Sequence, residues 1–184
     1  MTYGIDVAGV HRELPICRVS DTLMIGAFVI FGDVELTCAC AGALLEKTPE
    51  FDYLVAPEAK AIPLIHEMAR QSGQNEYFLV RKAKKLYMNG VFEAVVQSIT
   101  TEGEQTLYMD GADAKKMRGK RIVIIDDVIS TGNSLRAVED LVNQAGGIIV
   151  ARMAILAEGD AITRDDIIYL EPLPLFDGNG TPMK

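Results

Sequence analysis

One run of four β-branched residues, Ile122-Val123-Ile124-Ile125, constrains the fold more than any other part of the sequence. Charged residues bound this run, Lys120-Arg121 before it and Asp126-Asp127 after it. Such a continuous apolar run is typical of a strand that is buried on both faces of a parallel sheet. The sequence therefore predicts an α/β fold with a mostly parallel sheet.

Strand-like and helix-like segments alternate along the rest of the chain. We predict strands at residues 28–31, 52–56, 77–80 and 148–156, helices at residues 34–47, 62–71 and 135–145, and hairpin arms at residues 92–99 and 105–109. Asp33 is the expected N-cap of the first helix, and Gly146-Gly147 ends the last one. This alternation predicts a parallel twisted sheet flanked by helices, with a ligand site at the carboxyl ends of the strands.

Length and composition fit one domain that spans residues 1–184. Of the 184 residues 49% are hydrophobic and only 7 are proline, which excludes disorder and collagen-like repeats. No uncharged stretch is longer than the eleven residues 22–32, well under the roughly 18 to 20 that a membrane-spanning helix needs. The N-terminal residues lack the pattern of a secretory signal, so we expect a cytoplasmic protein without membrane contact.

Charge and cysteine content exclude two further classes of function. With 18 Lys and Arg against 26 Asp and Glu, the net charge of −8 repels a phosphate backbone, so we expect no nucleic-acid partner. Three cysteines are an odd number, and Cys38-Ala39-Cys40 cannot form a zinc site with only His11 and His66 elsewhere. We therefore expect reduced, buried thiols.

The segment after the apolar run contains the residues that predict the chemistry. It places Asp126 and Asp127 before a hydroxyl-rich loop that opens a helix, Ser130-Thr131-Gly132-Asn133-Ser134. The backbone N–H groups of such a loop and the positive end of the helix can hold a phosphate, and Gly132 permits the turn. The two carboxylates can accept hydrogen bonds from the vicinal hydroxyls of a ribose. The pattern predicts a site for a ribose 5-phosphate; the alternative is a solvated turn followed by a simple helix cap.

This segment resembles the diphosphoribosyl-binding signature of the type I phosphoribosyltransferase family, and the resemblance extends over about residues 33–156. In the family the loop usually reads T-G-G-T or T-G-G-S, whereas Asn133 stands here at the second glycine. Asparagine tolerates a positive φ better than other residues with a side chain, so we expect the loop to keep its shape. The resemblance implies the type I fold, with a small hood from about residues 1–32 and 165–184 and a flexible lid at about residues 86–109.

Two further segments are most similar to the adenine branch of this family. Pro57-Glu58-Ala59-Lys60-Ala61 matches the pyrophosphate loop, which reads E-[SA]-R-G in that branch and often contains a non-proline cis peptide bond. Lys60 keeps the positive charge of the family's arginine but not its bidentate fork. Arg81-Lys82-Ala83-Lys84-Lys85-Leu86 is similar to the R-K-x-x-K-L run, whose arginine and last lysine reach a pyrophosphate, frequently that of a neighbouring subunit. A homodimer is therefore implied; the alternative is a solvated basic loop.

The resemblance implies transfer of 5-phosphoribose from phosphoribosyl diphosphate (PRPP) to a nucleobase. Mg²⁺ is the implied cofactor, bound mainly through PRPP oxygens, with Asp126 and Asp127 contacting the ribose hydroxyls and supporting the ion from outside its direct ligands. The implied PRPP-binding residues are Glu58, Ala59, Lys60, Arg81, Lys82, Lys85, Asp126, Asp127, Val128, Ile129, Ser130, Thr131, Gly132, Asn133 and Ser134.

The lid and the identity of the base follow less directly from the resemblance. Glu102 is the candidate catalytic proton donor or acceptor, with a solvated hairpin residue as the alternative, and Ser98, Thr100 and Thr101 could equally touch the diphosphate. Adenine is the first candidate base and xanthine or hypoxanthine the second, while orotate stays open. A PRPP-sensing regulatory protein on the same fold is the rival class.

Overall fold

The computed structural model of the chain describes residues 1–96 and 105–183. Its elements in chain order are β1 (Thr2–Val7), β2 (Val10–Arg18), β3 (Leu23–Gly26), α1 (Val34–Leu45), β4 (Tyr53–Pro57), α2 (Ile62–Gln71), β5 (Phe78–Val80), β6 (Phe92–Val96), β7 (Gln105–Met109), α3 (Gly111–Met117), β8 (Arg121–Ile129), α4 (Asn133–Ala145), β9 (Ile148–Glu158), β10 (Ile168–Leu173) and β11 (Leu175–Asp177). A 3₁₀ turn, Gly159–Thr163, separates β9 from β10.

A five-stranded sheet forms the centre of the protein, with the strand order β10-β9-β8-β4-β5. Each neighbouring pair in it is parallel. The apolar run of residues 122–125 lies in the middle strand, β8, and each of its side chains is at most 1% exposed. The predicted buried strand and the mostly parallel sheet are thereby confirmed.

Helices cover both faces of this sheet. Because successive residues of a strand point to opposite faces, β8 supplies both hydrophobic layers. Val123 and Ile125 belong to the core cluster that contains α1 and α2, whereas Ile122 and Ile124 belong to the cluster that contains α3, α4 and the β6–β7 ribbon. Two apolar layers therefore require that the run contain no polar residue.

Local signals set the helix boundaries. Asp33 caps α1 as predicted, since its Oδ1 accepts a hydrogen bond from Leu36 N at 3.1 Å. Helix α2 spans the predicted residues 62–71, and Gly146 ends α4 with a φ of 78°, a left-handed conformation that glycine adopts without strain. No helix within the described residues is both long and apolar enough to cross a membrane.

A second, antiparallel sheet brings together residues from both ends of the chain, in the order β1-β2-β3-β11. In it Leu175 of β11 lies opposite Ile25 of β3. Phe176 is fully buried and packs edge-on against Tyr3, with ring centroids 5.2 Å apart. These strands fall within residues 1–32 and 165–184, where the hood is expected; its role in base binding stays a prediction. The predicted hairpin arms are confirmed as the antiparallel pair β6 and β7, while residues 97–99 of the first arm lie outside the described residues.

The apolar run of residues 28–31 is not a strand, and that prediction was wrong. Phe28 and Ile30 are buried, while Val29 and Phe31 are 57% and 50% exposed, so the side chains alternate as they would in a strand. The last pair between β3 and β2 is Gly26 with Ile16, and the last backbone bond after it runs from Ala27 N to Pro15 O. Because no described strand continues alongside, residues 28–31 cover the core without joining a sheet.

Truncation of Leu141 is expected to test the packing of α4 against the sheet. Leu141 is fully buried in the cluster that contains β8. Leu141→Ala should lower the free energy of unfolding by about 3 kcal/mol, because it removes buried methyl groups and leaves a cavity. Urea denaturation measures this change, and Asn143→Ala on the exposed side of the same helix is the matched control. Equal stabilities of the two variants would contradict the packing described here.

Candidate active site

The candidate site lies at the carboxyl edge of the parallel sheet, where β4 and β8 end. One cavity of about 200 Å³ is lined there by Pro57, Glu58, Ala59, Lys60, Lys82, Gln105, Leu107, Asp126, Asp127, Val128 and Ser134. A second cavity of about 130 Å³ is lined by Asp126 and residues 128–135. The two cavities share Asp126, Val128 and Ser134, so they adjoin, and we call them together the carboxyl-edge cleft.

Asp126 and Asp127 lie inside strand β8 rather than after it. The strand continues to Ile129 because its backbone keeps pairing with β9, where Asp126 lies opposite Ala154 and Ile129 opposite Ala157. The prediction that the strand ends before the acidic pair was therefore wrong. Both carboxylates nevertheless line the carboxyl-edge cleft, as the sequence predicted for a ligand site.

The two carboxylates influence each other's protonation. Asp127 is only 4% exposed, and its backbone N–H donates a hydrogen bond to Asp126 Oδ1 at 2.9 Å. Burial, and then the negative charge of Asp127, raise the pKa of Asp126 well above the usual carboxyl value. A ligand that donates hydrogen bonds or brings a cation to this pair would favour the ionised form of Asp126.

Lys60 is the counter-ion of the acidic pair. Its Nζ lies 2.8 Å from Asp127 Oδ2. That buried oxygen has no aligned hydrogen-bond donor among the described residues, so the contact is an ion pair rather than a directed hydrogen bond. The Lys60 side chain is half exposed, and the Glu58–Ala59 peptide bond beside it is cis, as the resemblance implied. The pyrophosphate-loop segment thus meets the acidic pair directly.

Glu58 ties this loop to the basic segment of residues 81–86. Its Oε2 lies 2.8 Å from Arg81 Nε, and its Oε1 accepts a hydrogen bond from Lys82 N at 2.6 Å. The backbone of Arg81 also exchanges two hydrogen bonds with Tyr108 of β7, each 2.8 Å long. Arg81 is therefore held by contacts within this chain, and Lys82 lines the cleft. Lys85 does not line it, so the pyrophosphate contacts of Arg81 and Lys85 stay predictions.

The hydroxyl-rich loop has the form of an anion site. Gly132 adopts a φ of 77°, a left-handed conformation that confirms the predicted glycine turn. Asn133 is the first residue of α4, so it does not use the positive φ that its side chain would tolerate. Within the described part of the chain, no side chain accepts a hydrogen bond from the amides of Ser134 or Leu135. These N–H groups at the positive end of α4 remain free for an anionic ligand.

Residues 97–104 of the predicted lid lie outside the described residues. Glu102, the candidate proton donor or acceptor, lies outside the described residues, as do Ser98, Thr100 and Thr101. Strand β7, which follows these residues, reaches the cleft, because Gln105 and Leu107 line it.

Two charged residues near the cleft were not predicted from the sequence. Glu158, the last residue of β9, is 9% exposed; burial raises its pKa, while the Ser130 hydroxyl and Lys60 act in the opposite direction. Arg164 lies against Gly132, since a Cβ at that glycine would be 2.5 Å from Arg164 Nη1. The position of Glu158 at a strand's carboxyl end was a usable signal. Nothing local in the sequence connects Arg164 with the loop.

Two larger cavities lie elsewhere in the molecule. One of about 660 Å³ lies between the 3₁₀ turn and β11, and one of about 560 Å³ lies beside α3. Neither is lined by the acidic pair or by its hydroxyl-rich loop. The smaller carboxyl-edge cleft is therefore the candidate active site, on the chemistry of its lining rather than on its size.

Comparison with known proteins gives consistent matches. The family model described as "Phosphoribosyl transferase domain" matches residues 39–171. The chain is 33% identical over 129 residues to an adenine phosphoribosyltransferase of Thermotoga sp. (strain RQ2), covering 70% of this chain and 67% of that protein. It is 32% identical over 131 residues to a hypoxanthine/guanine phosphoribosyltransferase of Methanohalobium evestigatum, covering 71% and 65%. The aligned region thus spans about two thirds of these relatives' own length.

A solved structure supports the fold. The crystal structure of adenine phosphoribosyltransferase from Thermoanaerobacter pseudethanolicus is similar with a TM-score of 0.66 and 24% sequence identity, covering 78% of this chain and 84% of that one. At this identity the likeness concerns the arrangement of strands and helices alone.

Proposed function

Because this chain belongs to the phosphoribosyltransferase family and has its type I fold, we propose that it transfers 5-phosphoribose from PRPP to a purine base. Adenine is the first candidate, and the products are then AMP and pyrophosphate. The homodimer implied by the resemblance and the expected cytoplasmic location belong to the same proposal.

One observation above all supports this proposal: the acidic pair and the free amides of the α4 loop line adjoining cavities. Asp126 and Asp127 can accept hydrogen bonds from the two ribose hydroxyls. The N–H groups of Ser134 and Leu135 can bind the 5-phosphate of the same sugar. Asp126 and Ser134 line both cavities, so one ligand can reach the two sets of groups.

Lys60 and Lys82 are the cations that we assign to the diphosphate. Both line the cavity that contains the acidic pair. In the proposed reaction a ring nitrogen of the base forms a bond to ribose C1, the bond from C1 to the diphosphate oxygen breaks, and the base gives up a proton. Pyrophosphate leaves with the bonding electrons, and nearby positive charge stabilises that departure. Glu102 is the proposed acceptor of the base proton.

The residues of the cleft also fit a magnesium ion carried in with the substrate. Mg²⁺ prefers oxygen ligands and keeps several waters, and Asp126 and Asp127 are the carboxylates that would hold such a hydrated ion beside the ribose. When bound, the ion neutralises charge on the diphosphate. Lys60 would then exchange its contact with Asp127 for one with the diphosphate.

The base is the finer part of the proposal. The E-A-K segment of the pyrophosphate loop resembles the adenine branch, and an adenine enzyme is among the relatives. A hypoxanthine/guanine enzyme is nearly as similar to this chain, at 32% against 33% identity. The two relatives' names differ in the base, so the choice among purines requires a direct test.

Release of pyrophosphate is the measurement that tests the proposed function. The protein is incubated with PRPP and Mg²⁺, and adenine, hypoxanthine, xanthine, guanine, orotate and uracil are supplied singly. We expect release with adenine, and no release when Mg²⁺ is chelated. Release with another base would replace adenine in the proposal. PRPP binding without turnover on any base would contradict the enzyme and favour a PRPP-sensing regulatory protein.

A further inference from the structure

Arg164 lies directly against the loop that we assign to the 5-phosphate. A Cβ placed on Gly132 would lie 2.5 Å from Arg164 Nη1 and 3.8 Å from its Cζ. Only the missing side chain of Gly132 leaves room for the guanidinium at this point, because a real Cβ would overlap it. The glycine thus serves both the turn and the approach of a cation to the loop.

Asp166 fixes the orientation of this guanidinium. Its Oδ1 accepts a hydrogen bond from Arg164 Nε at 2.8 Å, and its Oδ2 accepts one from Nη2 at 2.7 Å. This bidentate pair occupies one edge of the planar group, which leaves Nη1 on the side that faces Gly132. The Arg164 side chain is 25% exposed. Its conformation is therefore restricted, but part of its surface stays accessible to solvent.

The backbone around Arg164 is anchored in the same way. Its N–H donates to Ala161 O at 3.2 Å, and the Tyr169 hydroxyl donates to Ile162 O at 2.9 Å. Ala161 itself is fully buried. The cation is therefore held in place before any ligand binds, which lowers the entropic cost of using it.

Other charges near Arg164 do not cancel its effect on the loop. Glu139 of α4 is a further nearby carboxylate, and it is paired with Arg152. Asp166 neutralises the far edge of the guanidinium, whereas Nη1 is the edge nearest to Gly132. The loop therefore experiences positive charge from Arg164 in addition to the positive end of α4.

We infer that Arg164 strengthens binding of the 5-phosphate as a positioning cation: Asp166 holds its guanidinium with Nη1 beside Gly132, although Arg164 does not itself line the cavity of residues 128–135. This inference rests on the proposed function, because the phosphate is that of PRPP. Arg164 supplies the side-chain cation that the loop residues 130–134 lack. It acts on the phosphate at C5 of the ribose, whereas Lys60 and Lys82 act on the diphosphate at C1.

Two ligands that carry only one end of PRPP test this inference. Calorimetry compares ribose 5-phosphate with pyrophosphate, each with Mg²⁺, on the wild type, Arg164→Gln, Arg164→Lys and Asp166→Asn. Arg164→Gln should weaken ribose 5-phosphate about tenfold, the effect of removing one positive charge close to the phosphate, and leave pyrophosphate unchanged. Arg164→Lys should recover part of the loss, and Asp166→Asn should show a smaller one. Arg70→Gln, in an ion pair on α2, is the control that should change neither affinity.

The outcomes distinguish a failure of the Arg164 assignment from a failure of the proposed function. Wild-type binding of both ligands with an unchanged Arg164→Gln would overturn the Arg164 assignment and leave the proposed function standing. An equal loss for both ligands would also overturn it, because damage to the fold acts on both ends of the site. If Arg164→Gln fails to fold, the affinities of Arg164→Lys and Asp166→Asn for ribose 5-phosphate and pyrophosphate are compared instead. A wild type that binds neither ribose 5-phosphate nor PRPP would overturn the proposed function and the inference together.

Discussion

The double variant Asp126→Asn/Asp127→Asn is expected to lose PRPP affinity by at least about 100-fold while keeping its fold. In the proposed complex each carboxylate accepts a hydrogen bond from a ribose hydroxyl, and a bond to a charged group contributes about 1.5 to 3 kcal/mol. Two such bonds correspond to about two or more powers of ten in affinity. Calorimetric titration with PRPP and Mg²⁺ measures the loss, and circular dichroism checks the fold. Retained turnover would contradict the assignment of the acidic pair to the ribose.

The single variant Asp126→Asn should also be more thermally stable than the wild type at pH 7. Because burial and Asp127 raise the pKa of Asp126 in the folded state, the folded protein binds that proton more tightly than the unfolded chain does. The resulting stabilisation is present below the unfolded pKa, about pH 4, and is lost as the pH rises through the folded pKa. At pH 7, above the unfolded pKa, Asp126 therefore lowers stability relative to a side chain that does not titrate, and the neutral amide of asparagine removes that penalty.

Thermal melts of wild type and Asp126→Asn at pH 7 and near pH 4 test this linkage. The Tm of Asp126→Asn should exceed that of the wild type at pH 7, and the difference should shrink toward pH 4. Near pH 4 the side chain at position 126 is neutral in both folded proteins, as a protonated aspartic acid or as an asparagine. Asp127→Asn is the matched comparison, since it removes the ion pair with Lys60 and should not stabilise. A lower Tm for Asp126→Asn than for the wild type at pH 7 would contradict a raised pKa of Asp126 in the folded state.

Lys60→Ala is expected to lower kcat/KM for PRPP by about 100-fold. The change removes the cation assigned to the diphosphate and leaves the buried Asp127 without its counter-ion. A charge-assisted contact to the leaving group accounts for a loss of this order, about 2.7 kcal/mol. Lys60→Arg, which restores the residue usual in the family, should retain most of the activity.

Steady-state kinetics with varied PRPP measure the effect of Lys60. Lys115→Ala, an exposed lysine on α3 outside the carboxyl-edge cleft, is the control and should change little. If Lys60→Ala kept wild-type kcat/KM, the ion pair with Asp127 would have only a structural role. The diphosphate would then have to be assigned to Lys82 and to the bound magnesium.

Features that depend on residues close together in the sequence were predicted correctly, whereas features that depend on distant segments were not. The run of residues 122–125, the cap at Asp33 and the turn at Gly132 depend on neighbours within a few positions, and all three were predicted. The end of β8 was misplaced because its pairing with β9, rather than the polarity of Asp126, decides where the strand stops. Strand β2 was not predicted either, because its charged residues Arg12 and Glu13 are adjacent and break the alternation typical of a strand. Its pairing with β1 and β3 decides that it is a strand.

The arrangement of the candidate site was predictable only in part. The acidic pair and its loop are contiguous in sequence, so their common location required no tertiary information. The ion pair of Lys60 with Asp127 and the approach of Arg164 to Gly132 join segments far apart in the chain. Such contacts depend on the order of the strands and on the absence of a Cβ at Gly132. Neither dependence can be inferred from a single sequence.

The pairing of β11 with β3 has a consequence for synthesis of the protein. Strand β3 is translated early, and its second neighbour, residues 175–177, follows only about 150 residues later. At roughly 5 to 20 residues per second, β3 remains an open edge on the nascent chain for about 8 to 30 seconds. An unpaired edge is a template for pairing with other chains. The growing chain therefore presents this edge to other chains until its last strand emerges.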